Sequence, residues 1–263
     1  MSSKEKEVIG NYEVGKEGVL TRREVLLMGA MTAGGMVAGS AVPVAAAGES
    51  AKKAASPDGP YKAKDFDKLA KTLNGFSASQ IQQHLKLYNG YVAKSNQMYK
   101  MLKDVDVSTA NATFADLREL LVEQSYAVNG VVYHEFYFGN LGGKGGEPGG
   151  DLKAAIEERW GSNAKFMDFL KGAGKSARGW VVVGYNTRGG HLDAFALDTH
   201  NVYSPAGIIP VMVLDVYEHA YMVDFGIDRG KYLETFMDNL DWNVVAKRLS
   251  VASKHPSGED STV

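Results

Sequence analysis

The 263-residue chain contains no cysteine, and this absence removes several kinds of site at once. Without thiols the chain has no disulfide framework, no thiolate metal site and no cysteine nucleophile. Histidine is also scarce, with six in the chain: His84, His134, His191, His200, His219 and His255. A bound metal would therefore need imidazole and carboxylate ligands, which suit iron and manganese as well as zinc.

The chain also lacks an excess of positive charge. It has 29 Lys and Arg residues against 31 Asp and Glu, a formal net charge of −2. A nucleic-acid partner therefore has little support, because such proteins usually carry a basic patch or stripe. The remaining composition, 44% hydrophobic and 23% charged, is typical of a globular protein.

Residues 1–47 are typical of an export signal and not of a folded domain. Arg22 and Arg23 precede a stretch without charged side chains, which ends in the small residues of 44–47. Paired arginines before a weakly hydrophobic stretch resemble a twin-arginine signal, which exports folded proteins. We expect cleavage, a periplasmic or extracellular location, and no stable membrane contact afterwards. The alternative is an uncleaved anchor, since the uncharged stretch exceeds about 18 residues.

The rest of the chain divides by its hydrophobic pattern. Residues 48–60 show no periodicity and indicate a linker, and the polar residues 251–263 indicate a flexible tail. Helical spacing predicts two long helices, two shorter ones and a closing one, at 77–103, 113–140, 151–160, 164–170 and 231–249. Strand-like runs occupy 179–185, 192–197 and 208–216.

Helices followed by a small sheet indicate an α+β protein. We expect a domain over 61–147 that consists of a long helical hairpin. A second α+β domain with a three-stranded antiparallel sheet is expected over 148–250. The glycine-rich residues 142–146 mark the end of the second long helix, since a helix interior would not accept them.

The most informative stretch follows the last predicted strand. Asp215 ends a run of apolar residues, and His219 comes four residues later. A carboxylate and an imidazole can share one metal ion. The local spacing alone is equally consistent with Asp215 capping a helix and His219 having no role.

The sequence from Asp215 to Tyr221, Asp-x-x-Glu-His-Ala-Tyr, resembles the signature of the iron/manganese superoxide dismutases. Tyr217 stands where the family usually has tryptophan. Other segments are similar to the family in the same order along the chain: 77–84, 129–138, Gly179-Trp180, and Tyr232, Leu233, Asn239 and Trp242. The resemblance therefore covers nearly the whole chain after the leader.

The resemblance implies a site and a reaction. The metal, one iron or manganese ion per subunit, would be bound by His84, His134, Asp215 and His219. Superoxide would be the substrate, converted to dioxygen and hydrogen peroxide by redox cycling of the metal. Trp180 would lie beside the metal, and Glu218 would reach the ligand histidine of a partner subunit, which implies a homodimer or a tetramer. Without the resemblance, His84 would be taken for a surface histidine.

The family also places a Gln or His donor beside the metal-bound solvent, at one of two positions. The first position is Gly130 here, which has no side chain to donate. The second lies in the loop 198–201, so we expect His200 to be the donor, with Asn201 as the second choice. A solvated loop histidine is the alternative for His200.

Three departures concern the substrate funnel. The family has a His and a Tyr, four and eight residues past the first ligand, where this chain has Tyr88 and Val92. Tyr91 is close by, but we favour Tyr88 as the funnel residue because it shares a helix face with His84. Met222 replaces the tyrosine that bonds to the funnel histidine. Asp228, beside Arg229, replaces an arginine at the funnel mouth.

Two rival functions remain open. The first is a metal-binding protein of the same fold with little turnover, which the altered funnel would suit. The second is another non-haem metal oxidoreductase that handles peroxide or oxygen. Neither the choice between iron and manganese nor the choice between dimer and tetramer follows from the sequence.

Overall fold

The computed structural model describes residues 59–255. The predicted signal, 1–47, lies outside the described residues, as do nearly all of the predicted linker and the chain from residue 256. Within the described range, no helix combines the length and the apolar character that crossing a membrane requires.

A single-turn helix, α1, spans Leu69–Thr72. Two long helices follow it, α2 at Ala78–Asp104 and α3 at Asp116–Asn140. Helix α2 begins at a cap in which Ser77 Oγ accepts a hydrogen bond from the backbone N–H of Gln80 at 3.0 Å. Its apolar residues recur at helical spacing and form one buried face: Ile81, Leu85, Tyr88 and Val92. The two long helices pack against each other, and both agree with the prediction to within three residues.

The sequence pattern of α3 predicts an apolar face that includes Leu117, Leu120 and Leu121, and this prediction is partly wrong. Leu121 is 53% exposed. The buried residues lie in the second half of the helix and include Ala127, Gly130, Val131, His134 and Phe138. In the first half Leu117 and Leu120 are half-buried, whereas Leu121 and Val122 are exposed.

Helices α4 and α5 precede a three-stranded antiparallel sheet; the bounds are Gly150–Trp160, Asn163–Ser176, and β1 Trp180–Asn186, β2 His191–Leu197 and β3 Ile208–Asp215. The strand order is β2-β1-β3, and the register pairs Trp180 with both Leu197 and Asp215. The central strand is buried from Trp180 to Gly184. The described chain is thus a mixed helical protein with one small antiparallel sheet, as the α+β prediction required.

The segment after β3 is more divided than the sequence predicted. A 3₁₀ turn and three helices follow, with the bounds Glu218–Ala220, α6 Met222–Phe225, α7 Arg229–Asp238 and α8 Trp242–Ala252. The break in the predicted helix 231–249 has two causes. The Asn239 side chain exchanges hydrogen bonds with the backbone of Asn74, and the Asp241 carboxylate caps the first turn of α8.

Candidate metal centre

Four side chains converge at one end of the sheet. His84 comes from α2, His134 from α3, Asp215 from the last position of β3, and His219 from the 3₁₀ turn that follows. Their ligand atoms all lie within 4.8 Å of one another. The first three side chains are fully buried and that of His219 is 19% exposed.

One carboxylate oxygen is the centre of this cluster. Asp215 Oδ2 lies 3.1 Å from His84 Nε2, 3.2 Å from His219 Nε2 and 3.7 Å from His134 Nε2. The other oxygen, Oδ1, accepts a hydrogen bond from the backbone N–H of Tyr217 at 2.9 Å, which fixes the orientation of the carboxylate. The arrangement directs three imidazole nitrogens and one oxygen toward a common point.

The orientation of His134 is set by its own helix. Its Nδ1 lies 2.6 Å from the carbonyl oxygen of Gly130, one turn earlier in α3. A carbonyl only accepts, so Nδ1 carries the proton and Nε2 presents its lone pair to the cluster. Nε2 has no hydrogen-bond partner among the described residues, although it is buried. This combination is typical of a histidine that ligates a metal through Nε2.

The protonation states also suit a cation. Burial lowers the pKa of His84 and that of His134, and it outweighs the opposing effect of Asp215 on both. Burial alone would raise the pKa of Asp215, but the neighbouring His219 and His84 hold it well below its usual value. His84 and His134 are therefore neutral beside a buried anion, which needs a positive partner. Three imidazoles and one carboxylate fit iron or manganese.

His200 lies next to this cluster and is fully buried, so the alternative of a solvated loop histidine is wrong. The Trp180 indole Nε1 donates a hydrogen bond to His200 Nδ1 at 2.8 Å. Nδ1 is therefore the acceptor, and a neutral ring carries its proton on Nε2. Burial lowers the pKa of His200 to about 4, so the ring is neutral at pH 7. Its Nε2 has no hydrogen-bond partner within the described chain.

Asn201, the second choice for a donor, is directed elsewhere. Its Nδ2 donates to Ser125 Oγ on α3 at 2.7 Å, and its Oδ1 accepts from Thr199 Oγ1 at 3.1 Å. Both ends of the amide are thus occupied by the loop and its supporting helix. Of the two candidates, His200 is the one whose donor group remains available.

The two tyrosines of α2 lie in different surroundings. Tyr88 is buried, and its hydroxyl donates to Glu135 Oε1 at 3.0 Å and accepts from the backbone N–H of Lys64 at 2.8 Å. Tyr91 instead has its ring centroid 5.3 Å from that of His134 and 4.7 Å from that of His200. The shared helix face with His84 was correct for Tyr88, but its hydroxyl is bonded away from the cluster.

Gly130 is what makes room for Tyr91. A Cβ at position 130 would lie 2.8 Å from Cδ1 of the Tyr91 ring, closer than side chains normally approach. The missing side chain that left His200 as the expected donor thus also admits an aromatic ring between α2 and α3. Glycine is needed here for space, since its backbone is helical.

Two further aromatic residues near the cluster were not proposed as site residues from the sequence. Tyr126 has its ring centroid 4.3 Å from that of His200, and Tyr217 stacks on His219 at 5.2 Å. The signal for Tyr126 was its spacing, since positions 126, 130 and 134 share one helix face. With Trp180, 5.0 Å from His134, these rings form the walls around the cluster.

Glu218 is the expected contact to a partner subunit, and its side chain faces outward. It is exposed at the start of the 3₁₀ turn, beside Met222, which is 44% exposed.

The two residues expected at the funnel mouth are Asp228 and Arg229. Asp228 caps α7 by accepting from the backbone N–H of Lys231 at 3.0 Å. Arg229 donates a hydrogen bond to the carbonyl oxygen of Ala177 at 2.9 Å.

Comparison with known proteins identifies the fold family. Residues 148–248 match the family "Iron/manganese superoxide dismutases, C-terminal domain". The superoxide dismutase [Fe] of Aquifex pyrophilus is 44% identical over 143 residues, which is 54% of this chain and 67% of that protein. The superoxide dismutase [Fe] of Cupriavidus metallidurans is 37% identical over 140 residues, 52% of this chain and 70% of that protein.

A third relative, the superoxide dismutase [Mn/Fe] of Aeropyrum pernix, is 33% identical over 142 residues, 52% of this chain and 66% of that protein. The relatives thus include proteins named for iron and proteins named for either metal. The matched part includes the strand end and the turn that carry Asp215 and His219. The chain belongs to the iron/manganese superoxide dismutase family.

Proposed function

We propose that this protein converts two superoxide anions and two protons into dioxygen and hydrogen peroxide, at a metal bound by His84, His134, Asp215 and His219. The protein is an oxidoreductase of the superoxide dismutase family and binds one iron or manganese ion. The observation that carries the ligand assignment is the convergence of four ligand atoms within 4.8 Å in a buried setting. The bound metal supplies the electron transfer, by alternating between its 3+ and 2+ states.

The ligand set determines the charge that surrounds the metal. Three neutral imidazoles and one carboxylate offset one unit of positive charge. The centre therefore stays cationic and attracts the superoxide anion. The carboxylate is held in place through the backbone N–H of Tyr217 and cannot turn away easily.

His200 is the proposed donor to the substrate and solvent side of the centre. Its proton is on Nε2, because Nδ1 accepts from Trp180. The ring remains neutral at pH 7 with its pKa near 4, so it donates a hydrogen bond without adding a charge. Hydrogen bonds of this kind tune the properties of a metal centre.

The aromatic residues around the cluster limit access to it. Tyr91 lies against both His134 and His200, and its position favours it over Tyr88 as the residue that lines the substrate path. Trp180 is fully buried and covers His134 from the sheet side. We propose that these rings exclude bulk water and admit only a small anion.

A homodimer or tetramer is proposed from the position of Glu218. It is exposed one residue before the ligand His219, so its carboxylate is available to a second subunit. Met222 and Ile227, which are 44% and 94% exposed, lie on the same segment of the chain. Exposed apolar side chains of this kind are typical of an interface when they occur together.

The remaining assignments rest on the sequence alone. Export through the leader at 1–47, its cleavage and a periplasmic or extracellular location remain proposals. The proposed boundary between a helical hairpin domain at 61–147 and an α+β domain at 148–250 is supported by the family match, which begins at residue 148.

A form with the metal but little turnover is the second candidate. The observation that favours it is Tyr88, whose hydroxyl is bonded to Glu135 and Lys64 where the family has a funnel histidine. The two candidates differ in superoxide turnover per metal ion. A third class, a peroxide- or oxygen-handling enzyme, would show products with peroxide as the sole substrate.

The test is metal content and superoxide turnover on one purified preparation, beside His219→Ala. We expect about one iron or manganese ion per chain in the wild type, and the loss of both metal and activity in the variant. His255→Ala is the matched control, because His255 is an exposed histidine away from the cluster. A fully loaded wild type without turnover would contradict the dismutase and favour the second candidate.

A further inference from the structure

The loop that carries His200 has an unusual backbone. It connects β2 to β3 over residues 198–207. Tyr203, three residues after the histidine, has a φ of 66°, in the left-handed region that residues other than glycine rarely adopt. A strained conformation of this kind persists only where the surrounding structure holds it.

Three side chains of α3 hold this loop. Ser125 Oγ accepts from Asn201 Nδ2 at 2.7 Å, Asn129 Nδ2 donates to the His200 carbonyl oxygen at 2.8 Å, and the Tyr133 hydroxyl lies 2.8 Å from Ser204 Oγ. The three α3 positions are four residues apart, so they form one polar stripe along the helix. We call Ser125, Asn129 and Tyr133 the α3 stripe.

We propose that Asn129, the central member of the α3 stripe, is a positioning residue for His200. It bonds to the backbone of His200 itself, whereas the other two bond to residues further along the loop. The bond fixes the backbone of His200, from which the side chain projects, so Nδ1 stays within 2.8 Å of the Trp180 indole. The ring then remains 6.0 Å, centroid to centroid, from that of His134.

The consequence for catalysis rests on the donor role of His200 under the proposed function. Hydrogen bonds weaken steeply as distance and angle depart from their optimum, so a small movement of the ring reduces what Nε2 can donate. Asn129 does not itself touch the cluster. Its effect would be transmitted through the His200 backbone alone.

The Trp180 indole reports the position of the His200 ring without any metal or activity. The chain has three tryptophans, Trp160, Trp180 and Trp242, so the three indole N–H signals are readily assigned by NMR. In metal-free Asn129→Ala we expect the exchange of the Trp180 indole proton to be roughly fivefold to tenfold faster, because its acceptor is less well held. The signals of the other two tryptophans should not change.

Asn89→Ala is the matched control, because Asn89 is an exposed asparagine of the neighbouring helix α2. It should leave all three indole signals unchanged. Ser125→Ala is the second variant in case Asn129→Ala fails to fold. It removes the outermost bond of the α3 stripe from an exposed position, and it should speed the exchange of the Trp180 indole proton by a smaller factor. An unchanged exchange rate of the Trp180 indole proton in the folded variant would overturn the proposal.

The metal-loaded protein gives the second readout. Asn129→Ala should retain its metal, with superoxide turnover per metal ion lowered by roughly fivefold to tenfold. A shifted Trp180 signal with undiminished turnover would support the positioning role of Asn129 and contradict the donor role of His200.

Discussion

The hydroxyl of Tyr232 donates a hydrogen bond of 2.5 Å to the backbone carbonyl oxygen of Asp215. Both groups are fully buried, and the bond joins helix α7 to the end of strand β3. It fixes the backbone of the one residue whose carboxylate lies at the centre of the cluster. The closing helices therefore stabilise the site, although none of their side chains belongs to the cluster.

Tyr232→Phe should weaken this support while it keeps the aromatic packing. Loss of one buried hydrogen bond, with a carbonyl left unpaired, should lower the free energy of unfolding by about 1–3 kcal/mol. We expect lower metal occupancy after dialysis as well, measured by elemental analysis beside thermal unfolding. Tyr203→Phe is the control, since Tyr203 is 69% exposed. Equal stability and occupancy in both variants would contradict the argument.

Gly130→Ala should be destabilising, whereas Gly90→Ala should be stabilising. Both glycines lie inside long helices, where alanine is normally preferred by about 1 kcal/mol. A Cβ at position 90 meets open space, but one at position 130 meets the Tyr91 ring at 2.8 Å. We expect the clash at position 130 to outweigh the gain in helix propensity and to lower turnover. Chemical denaturation of both variants tests this contrast, and a stabilised Gly130→Ala would refute it.

Tyr88→Phe and Tyr91→Phe should separate stability from activity. The first removes a hydroxyl that bonds to Glu135 and to the Lys64 backbone, so it should cost about 1–2 kcal/mol of stability. The second removes the hydroxyl of the ring that lies against His134 and His200, and it should lower turnover at unchanged metal content. Kinetics per metal ion and thermal unfolding on both variants are the measurements. The reverse pattern would favour Tyr88 as the funnel residue.

The stability of the metal-free protein should depend on pH through His200. Its pKa is lowered by burial to about 4, from an unfolded value of about 6.5. As the pH falls from 6.5 to 4 the unfolded state takes up a proton that the folded state does not. The stability lost in that window is about 3 kcal/mol at most.

His200→Gln provides the comparison for this effect. Glutamine can still accept from the Trp180 indole but does not titrate. Unfolding is measured for wild type and variant at a series of pH values. Between pH 6.5 and 4 the free energy of unfolding should therefore fall more steeply with decreasing pH in the wild type than in the variant. Parallel curves would show that the His200 pKa is close to its unfolded value. The difference between the two proteins isolates His200 from the other buried histidines.

Much of the fold followed from local patterns. The two long helices were predicted to within three residues, because each has a continuous apolar stripe and a definite end. The closing segment was predicted less well. Its break at Asn239 depends on a contact with Asn74, which is 165 residues away along the chain.

The residues of the candidate site were predicted from different kinds of pattern. The pattern around Asp215 and His219 is local and resembles a known signature, so those two were readily found. His84 is 131 residues from Asp215 in the chain, and it looked like a surface histidine by itself. Tyr126 was missed, and the sequence alone did not show the different surroundings of Tyr88 and Tyr91. The reason is the same in both cases, since helical periodicity gives a face but not the partner that the face meets.

Three properties follow from the amino-acid sequence alone: the residue types available for a site, the absence of thiol chemistry, and the periodicity from which α2, α3 and the three strands form. The packing of the folded chain brings particular residues together. It placed three imidazole nitrogens within 3.7 Å of one carboxylate oxygen, and it inserted Tyr91 where Gly130 has no side chain. Local periodicity depends on neighbours along the chain, but a metal cluster depends on the packing of separate elements, which no single segment encodes.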